Sequence, residues 1–260
     1  MNRPRIAWLA IALLLSCAVS LVLFLPARWA LPFVQARLRG LSLGQVNGTM
    51  WDGAAEQVQD RDGRPLGRLR WRLARSALWG RLDLQLDFAG AALAARGHLQ
   101  RDAQGRPLWT DVAVQAGLAA WAPRLASPLG GPQGTLVLRL RRVVLQADWP
   151  VELEGDARWI DAAMQLRAGS VALGNLETEL VAANGVMHGR LGDDGHGPLH
   201  VDGQWQASPL GWRLDALLQP RTSDKALRNW LAHLGPPDPD GSVRLHRRGG
   251  LAAATVETAR

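Results

Sequence analysis

The sequence reads Arg-Leu-Asp-Leu-Gln-Leu-Asp-Phe from residue 81 to residue 88. Polar and apolar side chains alternate at every position of this stretch. Successive side chains of a β-strand point to opposite faces of the sheet, so this alternation predicts a strand with one apolar and one solvated face. Residues 68–73, 151–159 and 199–205 alternate in the same way.

Breaks rich in glycine and aspartate separate the alternating stretches, for example at residues 60–63 and 192–195. Short alternating strands divided by turn residues predict antiparallel pairing in a meander. Between them lies no run of 10–15 residues with helical periodicity, which argues against a Rossmann fold or an α/β barrel. The predicted fold class is therefore mainly β, with an open sheet and a sandwich both left as alternatives.

One helix is predicted near the end of the chain. Its apolar residues are spaced at i, i+3, i+4 and i+7, namely Leu227, Trp230, Leu231 and Leu234. Thr222, Ser223 or Asp224 can cap its start, and Gly235 with Pro236 ends it. We expect this helix to cover an end or an edge of the sheet, and residues 242–246 to form a last strand.

Residues 6–25 contain no charged side chain. A helix of that length spans about 30 Å, the thickness of the hydrocarbon core of a bilayer. The stretch predicts an uncleaved transmembrane helix, which would leave residues 1–5 on one side, a membrane-proximal segment at 26–40 and a β-rich domain at 41–260. A cleaved signal peptide and a lipoprotein attached at Cys17 are the alternatives. The first usually has a shorter apolar run. Against the second, eight uncharged residues that are apolar except for Ser20 still follow Cys17.

The net charge of +7 is concentrated near the predicted membrane segment. Residues 1–40 hold five arginines and no acid, which leaves 25 basic against 23 acidic residues in the rest of the chain. A domain that binds phosphate backbones would carry its excess charge on the folded part, so we expect no nucleic-acid partner. Arginines flank the apolar stretch almost evenly, and charge alone leaves its orientation open.

The sequence contains no motif of an enzyme active site. It has no Gly-x-Ser-x-Gly elbow and no Walker loop, and residues 130–134 are predicted to be a glycine-rich turn. His196 and His200 have the spacing of two zinc ligands on a helix, but Gly197 and Pro198 exclude that helix. We expect no enzymatic activity, no metal, no cofactor and no small-molecule substrate.

Carboxylates and tryptophans on the predicted strands have ordinary structural explanations. Glu152, Glu154 and Asp156 lie on one strand face with Arg158, as is common on solvated sheet faces. Three tryptophans fall on apolar strand faces: Trp71, Trp159 and Trp205. They can pack in a core, or they can line an apolar groove that holds a lipid or a segment of a partner.

Residues 41–53 read Leu-Ser-Leu-Gly-Gln-Val-Asn-Gly-Thr-Met-Trp-Asp-Gly. This resembles the Val-x-Gly-Thr-x-Trp-x-Gly opening of the type II secretion system protein N family, also called general secretion pathway protein N. Residues 78–82 resemble the Leu-x-Gly-x-Leu step of that family. Residues 227–231 and 234–241 resemble its closing helix and glycine loop. AsmA-type lipid-handling proteins share the opening in a looser form.

The resemblance implies an inner-membrane component of the type II secretion system that supports export of folded proteins across the outer membrane. It implies a single-pass anchor that contacts membrane lipids, a curved AsmA-like antiparallel sheet in the periplasm, and other inner-membrane secretion subunits as partners. An AsmA-like periplasmic lipid-binding or lipid-transfer protein is the alternative.

The resemblance carries over no catalytic residue. The residues that match its motifs are expected to be structural: Gly48, Thr49, Trp51, Gly53, Trp71, Gly80, Gly235 and Gly241. Within the opening motif, Gly48 and Gly53 are expected to permit a positive φ, and Trp51 is expected to anchor the strand.

Overall fold

A computed structural model describes residues 26–27, 40–125, 127–167 and 169–250 of the chain. The described residues form thirteen β-strands, and the chain divides into two compact units, residues 1–91 and residues 92–260. No helix in the described part is long and apolar enough to cross a bilayer. The predicted membrane segment, residues 6–25, lies outside the described residues, as does most of the predicted membrane-proximal segment, residues 26–40.

Unit 1 is a four-stranded antiparallel meander in which each strand pairs with the next one along the chain. Its strands are β1 (Ser42–Gly48), β2 (Asp52–Gln59), β3 (Pro65–Leu73) and β4 (Asp83–Ala89). A 3₁₀ helix, Arg75–Trp79, connects β3 to β4. Leu43, Ala55 and Val58 form a small buried core, and the half-buried Trp71 packs against it.

Unit 2 contains nine strands that also pair antiparallel in chain order. They are β5 (Leu93–Arg101), β6 (Pro107–Gly117), β7 (Gly131–Gln146), β8 (Trp149–Leu166), β9 (Gly169–Ala183), β10 (Val186–Asp193), β11 (Leu199–Ser208), β12 (Gly211–Pro220) and β13 (Val243–Gly250). The connection from β6 to β7 contains the 3₁₀ helix Leu118–Ala120 and the short helix α1 (Ala122–Leu125). The helix α2 (Lys225–Ala232) lies between β12 and β13.

Helix α2 covers one end of the sheet of unit 2. The Asp224 side chain caps the helix by accepting a hydrogen bond of 2.8 Å from the Ala226 amide. Leu227 and Leu231 are fully buried, in a core cluster that also includes residues of β8, β9, β11, β12 and β13. The Trp230 indole donates to the Leu129 carbonyl at 2.9 Å, which ties the helix to the segment before β7. The apolar stripe of α2 therefore closes the main core of this unit.

Two tight hairpins join β7 to β8 and β9 to β10. Ala147 and Asp148 both have positive φ between β7 and β8, and Asn184 and Gly185 both have positive φ between β9 and β10. Two consecutive residues of positive φ have the backbone twist that matches paired strands. These turns set the register between strands of 16 and 18 residues in the first hairpin and of 15 and 8 residues in the second.

The mainly β, antiparallel prediction is confirmed, and so is the short C-terminal helix with Asp224 as its cap. The alternating stretches lie in β3, β4, β8 and β11. The predicted glycine-rich turn at residues 130–134 is wrong from Gly131 onwards, because β7 begins there and Gly134 sits at a bulge with φ +98°. The last strand begins at Val243 and continues to Gly250, beyond the predicted end at residue 246.

Candidate functional site

The opening motif forms the tight turn between β1 and β2. Gly48 has φ +86°, and an added Cβ would lie 2.5 Å from the Asp52 carbonyl oxygen. The Thr49 hydroxyl accepts hydrogen bonds from the amides of Trp51 and Asp52 at 3.3 and 3.1 Å. The Thr49 amide donates to the Asp52 carbonyl at 2.8 Å. Gly48 and Thr49 therefore build the turn, as was predicted for Gly48.

The same turn is tied to its neighbours through Trp51 and Thr49. Trp51 is 5% exposed, and its carbonyl accepts a hydrogen bond of 2.7 Å from the Leu73 amide at the end of β3. Pro26, the residue that follows the predicted membrane segment, forms an isolated antiparallel bridge with Thr49. The turn therefore lies at the end of unit 1 where the chain leaves that segment.

Gly53 serves a purpose that differs from the predicted one. Its φ is not in the positive range, so the expectation of a left-handed conformation there is wrong. Gly53 pairs directly with Trp71 on β3, and a Cβ at residue 53 would overlap the Trp71 ring. Glycine is required because the indole lies across its Cα, a contact that depends on strand register and is invisible in a local motif.

Unit 2 repeats this pairing twice. Trp205 on β11 faces Gly189 on β10, and Trp212 on β12 faces Gly249 on β13. In each pair a Cβ on the glycine would overlap or crowd the indole. A large aromatic side chain that covers a facing glycine restores packing at a position that has no side chain of its own. The sequence reasoning missed Gly189, Trp212 and Gly249, and the signal that identifies them is the hairpin register.

The other motif residues lie at turns. Gly80 has φ +78° and ends the 3₁₀ helix of unit 1, and Gly241 has φ +83° in the turn that leads to β13. Gly235 has no positive φ and lies close to Val243, where an added Cβ would be 3.1 Å from a Val243 methyl. The structure brings six motif residues into unit 1, namely Gly48, Thr49, Trp51, Gly53, Trp71 and Gly80, and places Gly235 and Gly241 in unit 2.

One face of the unit 2 sheet is charged, and we call it the charged face. Its members include directly paired residues on β7–β9, Arg139, Asp156 and Glu179, and on β10–β13, Arg190, Gln204, Asp215 and His246. A groove of about 810 Å³ lies over the second set. Asp215 contacts His246 at 2.8 Å and Arg213 at 2.6 Å, and these hydrogen bonds lower the pKa of its carboxyl group. Several charges on this face are paired, since Arg190 also lies 3.8 Å from Asp202, whereas Asp156 and Glu179 are two acids on directly paired positions.

The opposite face, which we call the apolar face, crosses all nine strands of unit 2. One row of directly paired positions consists of Ala95, Val114, Leu138, Ala157, Thr178, Leu191, Gly203, Ala216 and Leu245. Ala216 is buried and the others are half-buried. Helix α2 packs over the end of this sheet and leaves part of the row accessible to solvent. An accessible apolar surface that spans several strands is typical of a binding surface.

A buried ion pair closes the turn between β10 and β11. The Asp193 carboxylate is 2% exposed and accepts hydrogen bonds from Arg221 at 2.6 Å and from the amides of Val201 and Gly195 at 2.8 and 2.9 Å. His200 Nδ1 lies 2.9 Å from it. Burial by itself raises the pKa of Asp193, but these hydrogen bonds outweigh it and hold the pKa well below its ordinary value.

Replacing Asp193 by asparagine is expected to lower the free energy of unfolding by about 2 kcal/mol at pH 7, because Arg221 and two amides lose a charged acceptor. The folded-state pKa is lowered, so this stabilisation is complete above about pH 4, the ordinary aspartate pKa, and is lost as the pH falls below it. Urea titrations of both proteins from pH 7 to pH 2.5 measure the difference, which should shrink below pH 4.

Asp202→Asn is the matched control, since Asp202 is exposed and lies 3.8 Å from Arg190. It should change the free energy of unfolding by less than about 0.5 kcal/mol. A difference between Asp193→Asn and the parent that stays constant down to pH 2.5 would contradict the assigned role of Asp193.

The carboxylates and histidines that were candidates for catalysis or metal binding make structural contacts. Glu152 contacts Arg106 and Arg142 at 3.2 and 3.3 Å, and Glu154 contacts Arg141 at 2.7 Å. His196 and His200 make separate contacts, with Asp194 and Asp193 respectively: the His196 amide donates to Asp194, and the His200 ring meets Asp193. Among the residues that the structure describes, no cluster of histidine, cysteine and carboxylate side chains has the arrangement of a metal site.

Comparison with known proteins agrees with the resemblance in the opening motif. The family model for "Type II secretion system (T2SS), protein N" matches residues 39–246, which extend from before β1 into β13. A relative named "Type II secretion system protein N" from Vibrio cholerae serotype O1 is 27% identical over 247 residues, covering 89% of this chain and 93% of the relative. No solved structure matches the chain. The chain belongs to the type II secretion system protein N family.

Proposed function

We propose that this protein is a structural and interaction subunit of the inner-membrane part of the type II secretion system. In this proposal residues 6–25 span the inner membrane and both β-sheet units lie in the periplasm. The protein has no catalytic task and supports the export of folded periplasmic proteins by binding other secretion subunits. Family membership over residues 39–246 supports the assignment to this machinery.

The observation that carries the proposed role is the two-faced sheet of unit 2. Leu138 and Arg139 are neighbours on β7, yet Leu138 belongs to the apolar face and Arg139 to the charged face. The charged face is polar and contains ion pairs of Arg190, Asp215 and His246, whereas the apolar face stays half-buried where α2 does not cover it. An apolar segment of another subunit would complete the burial of that face and gain about 25 cal/mol for each Å² removed from water.

Deleting the gene is expected to abolish the release of type II substrates and to make them accumulate in the periplasm. Re-expression of the full chain should restore export, and the Leu138→Gln variant should not, because it places a polar amide on the apolar face. Immunoblots of extracellular and periplasmic fractions measure the distribution of a substrate. The level of membrane-bound protein is measured in parallel to separate binding from folding.

Arg139→Gln is the matched control, because it alters the adjacent residue on the charged face. It should support export as well as the parent. Export that continues undiminished after gene deletion would contradict the proposed role, and equal export by both variants would exclude the apolar face as the binding surface.

The second candidate is a periplasmic lipid-binding or lipid-transfer protein, and the same apolar row supports it. Acyl chains could cover the half-buried side chains of Leu138 and Leu191 in place of a protein segment. Native mass spectrometry of the protein purified in a mild detergent tests this function. Phospholipid bound at fixed stoichiometry to the parent and lost from Leu138→Gln would support it, and a lipid-free protein would exclude it.

A further inference from the structure

Leu78 and Trp79, which we call the tryptophan tip, form the most exposed apolar pair in unit 1. Trp79 is 78% exposed, more than any other large apolar side chain among the described residues, and Leu78 is 48% exposed. Both side chains forgo the stabilising free energy that burial in a core would provide. An adjacent tryptophan and leucine that point outward together mark a contact surface.

The tip is held in place by the loop that carries it. The Arg75–Trp79 3₁₀ helix is followed by Gly80 at φ +78°, whose amide donates to the Ala77 carbonyl at 3.1 Å. Ser76 and Arg81 close the loop, since the Ser76 hydroxyl donates to the Arg81 carbonyl and the Arg81 amide donates to the Ser76 carbonyl, each at 3.1 Å. The exposure of Trp79 is therefore a property of a hydrogen-bonded loop.

The tip lies at the end of unit 1 where the chain leaves the predicted membrane segment. Pro26 forms a bridge with Thr49 in the opening turn, and the carbonyl of Trp51 in that turn accepts the Leu73 amide at 2.7 Å. Leu73 is the last residue of β3, and only Ala74 separates it from the 3₁₀ helix. The tryptophan tip and Pro26 therefore lie at the same end of the sheet of unit 1.

The charge around the tip suits an anionic lipid surface. Residues 72–83 contain three arginines and one acid, and Arg72, Arg75 and Arg81 are all exposed. Arg72 lies 3.7 Å from Asp52, while Asp83 is half-buried. Tryptophan is enriched where the headgroup layer meets the acyl chains, and arginine binds lipid phosphates there.

We propose that the tryptophan tip inserts into the headgroup layer of the membrane that holds residues 6–25, with Arg75 and Arg81 against lipid phosphates. This inference rests on the membrane anchor of the proposed function. The tip gives unit 1 a second membrane contact, which restricts rotation of the β-sheet about the anchor. Leu78 and Trp79 supply the apolar contact, and the two arginines supply selectivity for anionic lipids.

Site-directed spin labelling of the full chain tests the proposal. Trp79→Cys in a Cys17→Ser background is labelled with a nitroxide and reconstituted into nanodiscs of phosphatidylethanolamine and phosphatidylglycerol. We expect the nitroxide at residue 79 to collide more often with dissolved oxygen than with a water-soluble nickel complex, as a nitroxide surrounded by lipid does. Adding Arg75→Gln and Arg81→Gln should reverse this preference, and so should nanodiscs of phosphatidylcholine alone.

Arg64→Cys provides the control position, because Arg64 is exposed beyond the far end of the eight-residue strand β2, roughly 25 Å away at 3.3 Å per residue. Its label should collide mainly with the nickel complex in every nanodisc. If the label at residue 79 also collides mainly with the nickel complex while the protein stays in the membrane, the tip contact is contradicted and the anchor is not. Release of the chain from membranes by alkaline carbonate would overturn the anchor and the tip contact together.

Photo-crosslinking in cells separates lipid from protein as the occupant. A photoreactive amino acid in place of Trp79 should yield no protein adduct, because its neighbours are lipids. A strong crosslink from residue 79 to one secretion subunit would overturn the proposal and identify the tip as a protein-binding site.

Discussion

Replacing Leu231 by alanine is expected to lower the free energy of unfolding by about 3 kcal/mol, within the usual range for a large-to-small change in a core. Leu231 is fully buried and packs in the cluster that joins α2 to the sheet of unit 2, where Leu227, Leu218 and Val243 are also buried. The truncated side chain leaves a cavity that the capped, sheet-bound helix cannot collapse to fill. Urea titration of the full chain in detergent, followed by circular dichroism, measures the loss.

Leu210→Ala is the matched control, because it removes the same atoms from a side chain that is 63% exposed in the turn between β11 and β12. Its effect should stay below about 0.5 kcal/mol. Equal unfolding midpoints for the two variants would show that α2 does not close the core. A loss from Leu231→Ala alone would establish that the covered end of the sheet depends on this helix.

Local patterns predicted the elements in which apolar residues recur at a regular spacing. Alternation identified β3, β4, β8 and β11, and the i, i+3, i+4 spacing identified α2, because each periodicity follows from the backbone geometry of one element. The cap at Asp224 was also predictable, since it needs only an acceptor at the right position. These features depend on neighbours within a few residues in the chain.

The full lengths of the longest strands were harder to predict, because bulges change the phase of alternation within them. In β7 the register shifts between Leu140 and Arg142, and in β8 it shifts between Trp159 and Ala162. Each extra residue moves the following side chains to the opposite face. Asp161 has a positive φ at one of these bulges, which its sequence neighbours do not signal.

Contacts across strands account for the rest of what the sequence could not reveal. The prediction of a positive φ at Gly53 was wrong because the reason for this glycine is its partner Trp71 on another strand. The local motif suggested only that glycine was needed for a positive φ. The exposure of Trp79 was equally hidden, since an apolar side chain in a short loop is compatible with burial or exposure. The Gly53 contact requires the strand register of unit 1, and the exposure of Trp79 requires the hydrogen-bonded geometry of its loop.

Replacing Gly189 by valine is expected to lower the free energy of unfolding by about 3 kcal/mol, at the upper end of the usual cost of overpacking. Gly189 is buried opposite Trp205, and even a Cβ at residue 189 would overlap the indole. The indole cannot move away freely, because its Nε1 donates to the Thr178 hydroxyl on β9 at 3.1 Å. The variant must therefore break this hydrogen bond or separate β10 from β11. Urea titration with tryptophan fluorescence and circular dichroism measures both the loss of stability and the displacement of the ring.

Gly192→Val is the matched control on the same strand, since no heavy atom outside its chain neighbours lies within 4 Å of a Cβ there and its φ is not in the positive range. Valine suits an extended backbone, so this variant should be neutral or stabilising by a few tenths of a kcal/mol. The contrast isolates the indole contact from the general effect of removing a glycine from β10. The double variant Gly189→Ala with Trp205→Leu should recover part of the loss seen for Gly189→Ala alone, because a smaller side chain leaves room for the new methyl group. No recovery, together with equal losses at residues 189 and 192, would mean that backbone flexibility and not the facing tryptophan dictates glycine at these positions.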